Sequence, residues 1–142
     1  MIGEIRQRLE DNAVALGLKF VGTAVEFQSA AESNPTAEPA AYVIPLEEVP
    51  KPNHMDNVVV QRVVSSVGIV MVVMNVSDAK GKAAEQDMTT LRAAVKALIL
   101  GWQPATGHDP LERGRSHLLA FRDGRMWWQD TYITAYYDRS QL

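Results

Sequence analysis

Three histidines, at positions 54, 108 and 117, are the side chains most suited to acid–base work near neutral pH or to binding a metal. Zinc needs ligands that converge, at i and i+4 on a helix or in closely spaced pairs. These three fall in separate loops or strands, and the chain has no cysteine. A thiolate metal site and a disulfide framework are both excluded, and a reducing or redox-indifferent compartment suits such a chain. His108-Asp109 has the residue types of an acid–base pair, but with Pro110 next in line the same residues make a turn opened by Asp. Ser65-Ser66 has no base nearby in sequence and no Gly-x-Ser-x-Gly elbow around it. The segment VSDAKGKAA lacks the glycine spacing and the Gly-Lys-Ser/Thr ending of a phosphate-binding loop. No catalytic, cofactor-binding or metal-binding residues are therefore assigned, and no enzyme activity is expected. One stretch, Leu100 to Asp130, gathers all three tryptophans and two of the histidines. It reads as a helix end, a loop and a hairpin.

The elements that would carry these residues follow from periodicity. Ile2, Ile5, Leu9, Ala13 and Leu16 recur at three- and four-residue steps, which predicts an amphipathic helix over 2–16 closed by Gly17. Residues 19–27 read as a strand and 28–39 as a surface loop. A strand over 40–49 contains Pro45, which confines it to a sheet edge or a bulge. Residues 50–56, rich in proline, form a second loop. The valine-dense run 57–76 must be β, and one long bent strand is favoured over a hairpin because Ser65-Ser66 is a poor tight turn. Ala84, Met88, Leu91, Val95, Leu98 and Ile99 mark a helix over 82–100, with Gly101 as its cap and Trp102 packed against its end. Asp123-Gly124 then joins two strand-like runs in a hairpin over 115–137. The order α-β-β-β-α-β-β predicts an α+β, two-layer domain over residues 1–142, with a mainly antiparallel sheet and both helices on one face. Its buried set should include Leu9, Leu16, Val70, Val72, Leu91, Val95, Leu98 and Trp102.

Bulk properties narrow the function classes. A net charge of −3 in 142 residues gives no basic footprint for gripping nucleic acid. The longest apolar stretch, Val67 to Met74, is far shorter than the roughly 20 residues that cross a bilayer, and MIGEIRQRLE has no apolar core of a secretory signal. A cytosolic protein with no membrane partner is expected. The last strand places large rings on both faces: Trp128, Tyr132 and Tyr136 on one, beside Met126, and Trp127 and Tyr137 on the other. One face should meet the helices, and the large side chains on the other belong either to a protein interface or to rings covered by their own long neighbours.

The valine-rich strand leading into MNVSDAKGKAAEQDMTTLRAAVKALILGWQP, the later PLERG and the hairpin LLAFRDGRMWWQDTYIT resemble the small tail terminator proteins of long-tailed phages and prophages. LILGWQP and RDGRMWWQD are the most specific parts. The resemblance implies a structural virion protein, assembled in the host cytoplasm and located at the head-proximal end of the tail. It implies a hexameric ring that caps the tail tube, stops further subunit addition and offers a surface to the head–tail connector, with DNA passing through the lumen without specific binding; the alternatives are another phage head–tail connector, completion or tail-tube component, or a small-ligand-binding module on the same α+β layout. On that footing the candidate subunit or tube contacts are the loop Pro50, Lys51, Pro52, Asn53, His54 and Met55, then Arg62, the hairpin arginines Arg113, Arg115, Arg122 and Arg125, and Trp127. The loops 28–39 and 49–57 should be the mobile parts of an isolated subunit.

Overall fold

A computed structural model describes residues 1–75 and 80–141. Val76, the last residue of the expected long strand, and the other three residues of 76–79 within VSDAKGKAA lie outside the described residues. The chain opens with α1 (Ile2–Asp11) and the short α2 (Ala13–Leu16), which ends at Gly17 in the left-handed region, φ 75°. There follow β1 (Phe20–Gly22), α3 (Ala24–Ser33), β2 (Ala40–Pro50), β3 (Val60–Met74), α4 (Lys82–Ile99), β4 (Glu112–Arg122) and β5 (Arg125–Arg139). The five strands form one sheet in the order β1-β2-β3-β5-β4, antiparallel throughout except for β1 against β2. The α+β class and the mainly antiparallel sheet are as the periodicity predicts.

β3 is one continuous strand, paired with β5 from Val60↔Arg139 to Met74↔Arg125. Valine and isoleucine suit a position buried between neighbouring strands and layers, and Ser65 pairs straight across to Thr134 without a turn. Pro45 sits where the β2–β3 register shifts, between Pro45 and Glu47, because a residue without an N–H is tolerated at such a bulge. Asp123 (φ 54°) and Gly124 (φ 73°) are both in the positive-φ region, the conformation that a two-residue hairpin turn requires.

The stretch 19–27 departs from expectation. Only Phe20–Gly22 is strand, and Ala24–Ser33 is helix, so the loop expected at 28–39 shrinks to its last six positions, 34–39. Thr23 and Glu26 form a reciprocal capping box: the Glu26 N–H donates to Thr23 Oγ1 (3.3 Å), and the Thr23 N–H donates to Glu26 Oε1 (3.0 Å). Two orphan amides are thereby satisfied at the helix start. The alternation of Val25 and Phe27 imitates a strand, but the Thr-x-x-Glu signal and the alanines after it decide for helix.

Helices α1 and α4 cover one face of the sheet. Ile5, Leu9, Met88, Leu91, Val95 and Ile99 meet Ala41, Val43, Val67, Ile69, Met71, Met126 and Tyr132 there. Helix α3 covers part of the opposite face, where Phe27 and Ala30 lie over Tyr42, Val70, Val72 and Trp127. Two helices on one face is thus correct for α1 and α4, and α3 adds a partial third layer. Gly22 admits this packing: a Cβ there would lie 2.6 Å from the Phe20 ring and 2.8 Å from the Tyr42 ring. Of the expected buried set, Leu9, Val70, Val72, Leu91 and Val95 are buried, whereas Leu16, Leu98 and Trp102 are half-buried at the margin of the core. Trp102 follows Gly101 as expected, and its outer side is capped by Arg8, with the guanidinium 4.6 Å from the ring centroid. Arg8 Nε also donates to the Leu98 carbonyl (2.9 Å), which places a cation at the C-terminal end of α4, where the helix dipole favours it.

Candidate functional site

The sheet carries its exposed residues at two places: the β2–β3 arm and the β4–β5 hairpin. From Pro45 to Pro50 the side of β2 away from β3 has no partner strand and every residue is exposed. Pro50 ends β2, and Lys51, Pro52, Asn53, His54 and Met55 form the exposed tip that returns to β3. Asn53 organises this tip. Its amide nitrogen donates to the carbonyls of Met55 (3.1 Å) and Val58 (3.2 Å), and its side-chain oxygen accepts from the N–H groups of Met55 (3.2 Å) and Val60 (2.9 Å). Polar residues here stand in for the ladder bonds that the prolines cannot make.

Arg62, at the foot of the arm, forms an ion pair with Asp109 at 2.6 Å. Both side chains are about half exposed, so this pair contributes little net stability. Tyr137 lies between two cations, 5.8 Å from Arg62 and 5.6 Å from Arg139. His108 does not pair with Asp109; its ring stacks on Tyr136 at 4.7 Å. The Asp109 backbone is tied to β5 through its N–H to the Ala135 carbonyl (2.9 Å) and through its carbonyl, which accepts from Thr134 Oγ1 (2.6 Å). His108-Asp109 is therefore part of the joint between loop 102–111 and the arm. A cleft of about 360 Å³ beside it is lined by Met1, Pro45, Glu48, Ser65, His108 and Tyr136, among others. Tyr136 donates to Glu48 (3.0 Å); desolvation first, then the Glu48 carboxylate, raise the Tyr136 pKa.

The hairpin arginines do not act alike. Arg125 is mostly buried and pairs with Glu38 at 2.7 Å. Arg122 donates to the Ala31 carbonyl and lies 5.1 Å from the Trp127 ring. Together they clamp α3 and its following loop to the hairpin turn. Trp127 itself is 2% exposed beneath α3, in edge contact with Phe27. The candidate contacts Arg122, Arg125 and Trp127 are thus engaged within the subunit, and the surplus ring on the second face is covered by a helix that periodicity did not reveal. Arg113 donates to Ser116 Oγ (2.7 Å). Arg115 is exposed with no ion pair or side-chain hydrogen bond among the described residues.

One polar cluster was missed from sequence. Asp130 is 2% exposed and receives three hydrogen bonds from Arg92 of α4: Nε to Oδ1 (3.1 Å) and Oδ2 (3.0 Å), and Nη2 to Oδ1 (2.8 Å). Trp128 Nε1 adds a fourth at 3.0 Å, and the guanidinium lies 4.4 Å from the Trp128 ring. Burial alone would raise the Asp130 pKa, but the bonds from Arg92, Ser116 and Trp128 outweigh it and hold the carboxyl below its ordinary value. Next to it, Tyr132 is pushed up to about 12, first by desolvation and then by the Asp130 charge. The available signal was positional. An acid on the Met126–Trp128–Tyr132 face of β5, which meets the helices, requires a buried cation.

Among the described residues no three His, Cys, Asp or Glu side chains are grouped to hold a metal, and no helix is long and apolar enough to cross a membrane. What the surface offers is strand edges, an ordered tip and paired arginines, the materials of a protein–protein contact. Residues 2–141 match the family described as phage tail terminator protein. The chain belongs to the phage tail terminator family. It is accordingly a structural protein of the phage virion. The fold is similar to that of a chain in the structure described as "Virion of native gene transfer agent (GTA) particle", with a TM-score of 0.59 and 18% identity over 94% of this chain and 92% of that one. At that identity the likeness establishes the shared fold. No curated protein matches the chain.

Proposed function

We propose that this tail terminator acts as one domain over residues 1–142 and assembles into a homo-hexameric ring at the head-proximal end of the tail. The ring caps the tail tube, stops addition of further tube protein and presents the surface that joins the head–tail connector. DNA passes through the lumen without specific binding. The observation that carries this reading is the family match across residues 2–141, nearly the whole chain. The exposed β2–β3 arm supports it. Met55, Val49 and Val59 are large apolar residues left 39–55% exposed on and beside the tip, while Asn53 holds the tip in one shape. An ordered, apolar-tipped projection suits insertion against a neighbouring protein.

By this reading Pro50 to Met55, with Arg62 at the base of the arm, touch the tube or the adjacent subunit. The test is polymerisation of purified tube protein with the terminator added, scored by tube length in electron micrographs. The parent should cap tubes and arrest growth. A chain lacking residues 50–55 should keep its circular dichroism spectrum and lose that arrest. Tubes that lengthen equally with and without the parent would overturn the capping role.

A further inference from the structure

Charge is divided across the sheet. From Phe20 to Pro50 the chain has five glutamates, at 26, 32, 38, 47 and 48, and no lysine or arginine. β1 and β2 of this stretch form one edge of the sheet, and α3 between them in sequence lies over the adjoining face as far as the β4–β5 turn. The opposite edge is β4, which has Arg113, Arg115 and Arg122 against the single acid Glu112. Formal charges are therefore −5 on the first edge and +2 on the second, three arginines less one glutamate. Four inter-strand steps of about 4.8 Å separate the two edges by about 19 Å. Within one copy Arg122 donates to the Ala31 carbonyl of α3, Arg125 pairs with Glu38 and Tyr136 donates to Glu48, so the charges left over are those with no such partner.

The two edges also match in apolar surface. β4 exposes Leu118 (49%), Leu119 (38%) and Phe121 (42%) along a strand with no neighbour on its outer side. The acidic edge has a cleft of about 230 Å³ between α3 and the strands, with Phe20, Val25, Ala30 and Tyr42 in its wall and Glu26 at its rim. Arg115 on one edge, and Glu26 at the cleft on the other, are exposed and have no ion pair among the described residues.

We infer that the occupant of the β4 edge is a second copy of this chain, docked head to tail through its β1–α3–β2 edge. The inference rests on the ring reading above and names the two patches that make the ring. Two different patches on one subunit give a heterologous contact, the kind that closes into a ring by rotation. A two-fold contact of β4 with β4 would instead set arginines against arginines, and like charges across an interface are strongly disfavoured. The sheet does not continue across the joint. β4 is interrupted by register shifts at Arg113/Ser116 and Leu118/Ala120, and β2 carries Pro45 and Pro50, devices that prevent edge-to-edge ladders. Side chains make the contact: Leu118, Leu119 and Phe121 pack on the cleft while Arg115 meets Glu26 at its rim.

The absence of cysteine from the chain permits a direct test. Single variants Leu119→Cys and Val25→Cys, and the double variant, are treated with a flexible bis-maleimide and run on a denaturing gel, beside sedimentation velocity of the parent alone and with tail tubes. The double variant should give a ladder of covalent multimers, and each single variant should stay monomeric on the gel. Arg115→Glu should weaken association about tenfold, the effect of one like-charge contact at an interface. A covalent dimer from Leu119→Cys alone would place β4 on a two-fold axis and overturn the inference. So would a parent that sediments as an oligomer while the double variant gives no ladder. A parent that stays monomeric with and without tubes would refute the ring itself, a separate failure.

Discussion

Asp130→Asn tests how α4 is held on the sheet. The substitution keeps the shape of the side chain and removes its charge, so Arg92 loses a carboxylate to which it gives three hydrogen bonds of 2.8–3.1 Å. Breaking a buried pair by removing one partner costs about 3–5 kcal/mol. Asp130 is 2% exposed but Arg92 is 25% exposed, so the stranded guanidinium can turn toward water, and the lower end, about 3 kcal/mol, is expected. For a chain of this length that lowers the melting temperature by roughly 10 °C. The folded pKa of Asp130 lies below its unfolded value. Its stabilisation is therefore complete above the unfolded pKa, about 3.9, and is lost as pH falls through the folded pKa. The gap between parent and variant should be full at pH 7 and close progressively in acid below about pH 4. Urea unfolding at several pH values, followed by tryptophan fluorescence because Trp128 donates to the same carboxylate, measures both. A double-mutant cycle with Arg92→Met isolates the pair. A coupling energy near zero, or a parent–variant gap that does not shrink in acid, would refute the reasoning.

Three further outcomes follow from the same geometry. Thr23→Ala removes one half of the capping box of α3 and should cost about 1 kcal/mol in chemical denaturation; no change would mean that α3 is held by Phe27 and Ala30 alone. Trp102→Ala removes a half-buried ring under Arg8, so the loss should be about 2 kcal/mol, less than the 3–5 kcal/mol of a fully buried aromatic, and calorimetry would distinguish the two. The hexamer of the proposed ring carries six times −3, or −18, and it should nevertheless weaken as salt rises from low to high concentration, because arginine–carboxylate contacts at the joints are screened. A sedimentation profile that is flat across salt would assign the ring to apolar packing alone.

What was legible in the sequence is what short-range physics decides. The turn at Asp123-Gly124 needs two residues that accept positive φ, Gly17 and Gly101 end helices for the same reason, and the stripe from Ala84 to Ile99 has one face to bury. The valine run within 57–76 could only be β, and the poor turn at Ser65-Ser66 favours one strand over a hairpin. The capping box at Thr23 was equally local and present, but the alternation of Val25 and Phe27 hid it, and with it went the helix that covers Trp127. The tertiary structure alone decided where side chains far apart in sequence meet. Arg92 and Asp130 are 38 residues apart, and Arg125 and Glu38 are 87 apart. No periodicity records such a pairing, because it depends on strand order and on which face each helix takes. The hairpin arginines look equivalent in sequence. Only the fold divides them: Arg122 and Arg125 reach the α3 carbonyl of Ala31 and Glu38, while Arg115 stays exposed, because the path of α3 over the sheet brings it to the hairpin turn and not to the far end of β4.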